Sequence, residues 1–89
     1  MTKEDIEKFI DTKLTTEESF VKINFKKRVA VYGQFVKDKD YAHLKSRNFW
    51  RIVTGTSLPE YTKSKNIGLA RMFSGSEFSK LTATNKMGE

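Results

Sequence analysis

The sequence has no cysteine and no long apolar run among its 89 residues. Without cysteine the chain forms no disulfide, no reactive thiolate and no cysteine-ligated zinc site. No stretch approaches the roughly 20 apolar residues of a membrane-spanning helix, so we expect no membrane partner. The first residues, MTKEDIEKFI, carry acids where a secretory signal needs cations, and we expect a cytoplasmic protein.

Side chains suited to catalysis are also scarce. His43 is the single histidine, and acid–base chemistry would require a partner positioned beside it. Asp38 and Asp40 fall in a charged turn, and neither a phosphate loop nor a metal-ligand spacing is present. We therefore predict a protein that is not an enzyme and uses neither metal nor other cofactor.

Charge is abundant and unevenly distributed. Residues 1–20 hold three lysines and six acids, a net charge of −3. Residues 21–89 hold 14 cations and five acids, a net charge of +9. A basic body behind an acidic leader is typical of a protein with a polyanionic partner, most often nucleic acid.

The chain length predicts a single domain over residues 1–89, and its first part predicts a helix over about residues 3–14. Thr2 is a candidate N-cap, with acids in the first turn where the helix dipole favours them. Ile6, Phe9 and Ile10 share the helical spacing of one apolar stripe.

From Phe20 the apolar period changes to two, which predicts strands. Val21, Ile23 and Phe25 alternate with polar residues, and Lys26-Lys27 is a candidate hairpin turn. A second strand follows, with Val29, Val31, Gly33 and Phe35 on one face. Because glycine weakens a flat strand, we interpret Gly33 as a bend.

The rest of the chain predicts three more strands. The first lies within Tyr41–Val53, where Ser46–Asn48 is either a bulge or a turn. A long surface loop is predicted over Thr54–Asn66. Two short strands over Gly68–Phe73 and Phe78–Thr82 precede a frayed tail at about 83–89. The predicted fold is mostly β, a small five-stranded barrel over about residues 19–82 with an N-terminal α-helix, because closure hides the edges of short strands.

Cations beside aromatic residues are the usual features of a single-strand-binding surface. The candidate nucleic-acid contacts are Lys26, Lys27, Arg28, Tyr41, Lys45, Arg47, Trp50 and Arg51. Alternation places Phe49 and Trp50 on opposite faces, and we expect Phe49 and Phe73 in the core, with Trp50 and Tyr41 as stacking residues. The three charges Lys26–Arg28 are either a solvated hairpin tip or a phosphate contact.

The segment Phe20–Phe35, with its alternating strand, turn and glycine-bearing second strand, resembles the first motif of the Sm-like family and of its Hfq-like branch. Phe73–Leu81 is similar to the second motif, a strand, short turn and strand. At that turn Phe73-Ser74-Gly75 replaces the Hfq-like Tyr-Lys-His, so the uridine-binding chemistry is not carried over. The resemblance covers about Lys3–Leu81 and implies an SH3-like small barrel, RNA binding, and a ring of copies joined through the last two strands.

We therefore expect a non-catalytic module that binds RNA or another single-stranded nucleic acid, with a homo-oligomer as its expected assembly. The alternative is a protein-interaction or assembly module of the same fold with no nucleic-acid ligand.

Overall fold

The computed structural model describes residues 1–14 and 20–84. Its helices and strands follow in the order α1 (Lys3–Lys13), β1 (Phe20–Phe25), β2 (Val31–Val36), α2 (Tyr41–Ser46), β3 (Phe49–Thr54), α3 (Leu58–Ser64), β4 (Arg71–Ser74) and β5 (Phe78–Thr84). Short 3-10 helices, Ile67–Leu69 and Gly75–Glu77, lie before and after β4. The predicted N-terminal helix and five strands are confirmed, and α2 and α3 are additional.

Helix α1 begins and packs as its sequence predicts. The Thr2 side chain accepts a hydrogen bond from the Asp5 backbone nitrogen at 3.1 Å, which caps the first turn. Ile6 and Ile10 are buried in the main core and Phe9 packs against it. The apolar stripe therefore holds α1 against the sheet.

The five strands form one antiparallel sheet in the order β4-β3-β2-β1-β5. The two edge strands, β4 and β5, are joined only by the three residues Gly75–Glu77, so the sheet must curl strongly. The Phe25 ring of β1 accordingly lies 5.7 Å from the Phe73 ring of β4 and 5.4 Å from the Phe78 ring of β5. Among the described residues no pairing joins β4 to β5, so the sheet is curled but not closed.

The first hairpin follows its predicted alternation up to the turn. Val21, Ile23 and Phe25 are buried on one face of β1, as expected. Val29 was expected in the second strand, but it precedes β2 and is 85% exposed. The connection is therefore longer than a two-residue turn and comprises residues 26–30, called here the basic loop.

The predicted strand signal within Tyr41–Val53 is wrong over its first half. Tyr41–Ser46 forms the short helix α2, in which the backbone nitrogen of Leu44 donates to the backbone oxygen of Asp40 at 2.9 Å. Asn48 then adopts φ 62° and directs the chain into β3. Asparagine tolerates this left-handed conformation better than most residues. Ser46–Asn48 is thus the end of a helix rather than a bulge or a turn between strands.

Two further predictions need correction. The expected loop Thr54–Asn66 contains α3, whose Leu58 is buried against Val36 and Val53 on the outer face of the sheet. The expected tail begins later than predicted, because Ala83 and Thr84 belong to β5 and pair with β1. Residue 19 and residues 85–89, which the predicted barrel start and tail included, lie outside the described residues.

Asn48 is a hydrogen-bonding centre at the corner between β3 and β4. Its Oδ1 accepts from Trp50 Nε1 at 2.8 Å, and its Nδ2 donates to the Met1 oxygen at 3.1 Å. Its backbone oxygen accepts from the Gly75 nitrogen at 2.8 Å. One residue therefore joins the indole in the core, the chain before α1 and the connection from β4 to β5.

Gly33 is required by a close approach of two strands. A β-carbon at this position would lie 2.6 Å from the Val53 oxygen and 2.8 Å from Ile52 Cγ2, both in the neighbouring strand β3. The backbone oxygen belongs to the paired sheet and has little freedom to move. The bend at Gly33 stays a prediction, and the close approach of β3 is a separate reason for glycine at this position.

Gly33→Ala is expected to lower the free energy of unfolding by about 2–3 kcal/mol, because the added methyl group overpacks against a fixed carbonyl. Urea denaturation measures this loss as a lower midpoint with an unchanged slope. Gly68→Ala is the control, since its β-carbon would meet only the Asn66 side chain on an exposed turn, at 3.1 Å. Equal midpoints for Gly33→Ala and wild type would contradict the steric explanation.

Asn48→Ala is expected to lower the free energy of unfolding by about 3 kcal/mol. It leaves the indole N–H buried without a partner, and it places alanine at a positive φ that alanine rarely adopts. Trp50→Phe removes the N–H and keeps an aromatic ring. In that background Asn48→Ala should cost at least about 1 kcal/mol less. Denaturant unfolding of the four proteins measures this coupling, and additive losses would show that the indole does not depend on Asn48.

Candidate nucleic-acid interface

The basic loop presents three exposed cations between β1 and β2. Lys26, Lys27 and Arg28 all lie on the surface directly after the buried Phe25. The backbone nitrogen of Lys26 donates to the backbone oxygen of Glu77 at 3.0 Å. This hydrogen bond fixes the start of the loop against the connection between β4 and β5. Three of the sequence-predicted contacts are therefore brought together at one corner of the sheet.

Arg28 folds back over two core rings. Its Cζ lies 4.9 Å from the centre of the Phe25 ring and 5.9 Å from the centre of the Phe73 ring. These distances are within the range of cation–π attraction. Because both rings are buried, they hold the guanidinium in place and offer no face of their own to a base.

A second arginine, Arg71, reaches the same ring from β4. Its Cζ lies 5.7 Å from the centre of the Phe73 ring. Arg71 and Phe73 are two residues apart in one strand, so alternation places both side chains on the same face. Arg28 and Arg71, together with Phe73, are called here the two-arginine cluster.

The two-arginine cluster has no acidic partner in the part of the chain that the structure describes. The ion pairs of that part join Lys45 Nζ to Glu7 Oε2, and Arg51 Nη2 to Asp40 Oδ2 at 2.7 Å. Neither pair includes Arg28 or Arg71. Two like charges therefore lie 5.9 and 5.7 Å from the centre of one ring, and neither is in an ion pair with a described carboxylate. Such a position attracts an anion.

The remaining predicted contacts form a second group on and around α2. Acidic partners neutralise most of the positive charge of this group. Lys45 and Arg51 are engaged in the two ion pairs, while Arg47 is exposed at the end of α2. The Lys45–Glu7 pair joins α2 to α1. Lys45 and Arg51 therefore serve first as links within the fold.

Tyr41 is half-buried and already covered by lysines. Lys37 Nζ and Lys45 Nζ lie 5.3 and 5.5 Å from the centre of its ring, and the Trp50 ring contacts it edge-on at 6.0 Å. Burial raises the pKa of the Tyr41 hydroxyl; Lys45 opposes this effect, while Asp11 and Glu7 add to it. Tyr41 is thus a packed neutral phenol rather than an open stacking face.

The expected stacking role of Trp50 needs correction. Its side chain is only 1% exposed and packs edge-on against Phe35 at 6.1 Å. Its Nε1 is bound to Asn48, so the indole is fully accommodated in the core. A buried ring has no face on which a base can stack.

The expectation that Phe49 lies in the core is also wrong, whereas that for Phe73 is confirmed. Phe49 is 37% exposed on the outer face of β3, and Phe73 is 9% exposed. On the same outer face Met72 is 50% exposed, opposite Arg51. Phe49 and Met72 form an exposed apolar patch, separate from the two-arginine cluster on the other face of β4.

Arg71 is the functional candidate that the sequence-based set omitted. The sequence does contain a pattern that indicates Arg71. In a strand, a cation two residues before a core aromatic residue lies on the same face as that residue. The other half of the cluster could not be found in this way. Only the curl of the sheet brings Arg28, more than 40 positions earlier, to the ring beside Arg71.

His43 is exposed on α2. Its backbone oxygen accepts a hydrogen bond from Ser46 Oγ. Within residues 1–14 and 20–84 no three histidines or acids lie close enough together to hold a metal ion. None of the helices in these ranges has the length and apolar character needed to cross a bilayer.

Comparison of the chain with protein-family models, curated proteins and solved structures gave no match.

Deprotonation of Tyr41 is expected to require a higher pH than that of an ordinary tyrosine, because burial raises its pKa. The neutral phenol therefore stabilises the fold fully below its unfolded pKa of about 10, and this contribution is lost as pH rises through the folded pKa. Tyrosinate absorbance followed during alkaline titration should show a late component that Tyr41→Phe removes and Tyr61→Phe retains. A late component that survives Tyr41→Phe would contradict the assignment.

Proposed function

We propose that the chain is a non-catalytic module that binds RNA, or another single-stranded nucleic acid, through the basic loop and the two-arginine cluster. The observation that supports it best is the convergence of Arg28 and Arg71 on Phe73 without an acidic partner among the described residues. Lys26 and Lys27 extend this positive surface along the basic loop. Phosphate contacts by such residues provide most of the affinity in sequence-independent binding.

A single strand suits this surface better than a duplex. Unpaired bases can stack on arginine guanidinium planes as well as on aromatic rings. Arg28 and Arg71 are held against buried rings on one side, which leaves their other side for a ligand. The proposed binding involves no metal or cofactor, and we place it in the cytoplasm.

We further propose that the fold is an Sm-like or SH3-like small barrel. Three features support this: the strand order β4-β3-β2-β1-β5, the three-residue connection between the edge strands, and the contact of Phe25 with Phe73 across the curl. A homo-oligomer would pair the open edges of β4 and β5 from neighbouring copies. Such pairing satisfies backbone groups that an exposed edge leaves unpaired.

A second candidate function is an assembly module without a nucleic-acid ligand. It is favoured by the exposed pair Phe49 and Met72 on the outer face, beside the open edge of β4. Exposed apolar residues beside an unpaired edge are suited to a protein partner. This candidate predicts no binding of RNA even at low salt.

The proposed function is tested by titrating the protein into a fluorescently labelled single-stranded RNA over a series of salt concentrations. With Lys26, Lys27, Arg28 and Arg71 each neutralising one negative charge of the strand, log affinity should fall against log salt with a slope of about −3. Arg28→Gln combined with Arg71→Gln should weaken binding and reduce the slope to about −1.4.

Lys63→Gln is the control for a change of charge alone, because Lys63 is exposed on α3, which packs on the outer face of the sheet. It should leave both affinity and slope close to those of wild type. Absence of RNA binding at low salt would refute the proposal and favour the assembly module. Equal weakening by Lys63→Gln and the double arginine variant would refute the location of the site.

A further inference from the structure

The two-arginine cluster brings two guanidinium groups from different elements to one aromatic ring. Arg28 comes from the basic loop and Arg71 from β4, so the two guanidinium groups approach Phe73 from different elements. Neither group forms an ion pair with a carboxylate of the described residues. An anion that engages both groups at once would therefore gain more than one that engages either alone.

A phosphate monoester meets this requirement better than a diester. Each guanidinium is a planar fork that donates two parallel hydrogen bonds to neighbouring oxygens. A monoester carries three acceptor oxygens and a charge between about −1.5 and −2, so two forks can share it. A phosphodiester within a strand has only two free oxygens and a single negative charge.

We propose that the two-arginine cluster binds the terminal phosphate monoester of a nucleic-acid strand in preference to an internal phosphodiester. This inference rests on the proposed function and specifies which part of the ligand the cluster contacts. Lys26 and Lys27, which immediately precede Arg28 on the exposed loop, then contact the internal phosphates that follow.

The position of the cluster suits the end of a strand. Arg71 is the exposed first residue of β4, and Arg28 lies on the exposed basic loop. Both residues are therefore open to solvent at one corner, where the end of a strand can reach them. The Phe25 and Phe73 rings beneath the guanidinium groups are buried and fix their inner side.

The experiment compares one internally labelled RNA sequence in three forms, with a 5′ phosphate, with a 3′ phosphate, and with hydroxyl groups at both ends. At a fixed salt concentration we expect one phosphorylated form to bind about tenfold more tightly than the hydroxyl form, the effect of one additional charge-assisted hydrogen bond. Equal binding of all three forms, with the salt dependence retained, overturns this inference and leaves the proposed function intact.

The decisive variant is Arg28→Lys combined with Arg71→Lys, which keeps both charges but removes both forks. It should retain binding of the hydroxyl form within about twofold and lose the preference for the terminal phosphate. Lys63→Gln should keep the preference. Retention of the tenfold preference by the lysine variant overturns the inference.

Competition identifies the source of the phosphate. Inorganic phosphate at millimolar concentration should reduce the preference without displacing the hydroxyl form. A phosphorylated peptide that competes as strongly as the phosphorylated RNA would overturn the assignment to a nucleic-acid end. Loss of all RNA binding in every form and at low salt would instead contradict the proposed function.

Discussion

The structure depends on one hydrogen bond within the core, from the Trp50 indole nitrogen to Asn48 Oδ1. A tryptophan is buried at low cost only when its N–H finds a partner, and Asn48, the residue directly before β3, provides that partner. The same asparagine accepts from Gly75 and donates to Met1. The residue that accepts the indole hydrogen bond therefore also positions the start of the chain and the connection between the two edge strands.

The curl of the sheet explains how cations that are dispersed along the sequence become concentrated at one corner. The connection between β4 and β5 is only three residues long, so β4 is brought toward β1 and the Phe73 ring toward Phe25. Arg28 and Arg71, distant in sequence, then meet on one ring. Elsewhere Lys45 and Arg51 are paired with acids, so among the candidate contacts the charge that remains for a ligand is greatest at this corner.

Periodic features were predictable from the sequence, and features that depend on the curl were not. The stripe of α1 and the alternation of Val21, Ile23 and Phe25 appear in the structure as expected. Helix α2 was missed because it is only six residues long and contains no fully buried residue. Alternation placed Phe49 and Trp50 on opposite faces, but which of them points inward is decided by the partner that Asn48 offers the indole. Closure into a barrel and the binding of nucleic acid remain predictions.

The most direct test of the central claim is a residue-resolved NMR titration of the protein with a single-stranded RNA. We expect shifts of the side-chain Nε–H signals of Arg28 and Arg71 and of the backbone amides of Lys26 and Lys27, while the amides of α3 stay in place. This pattern would place the ligand at the one corner where two arginines converge without an acidic partner among the described residues. Shifts confined to Phe49, Met72 and their neighbours, or no shifts at all, would contradict it.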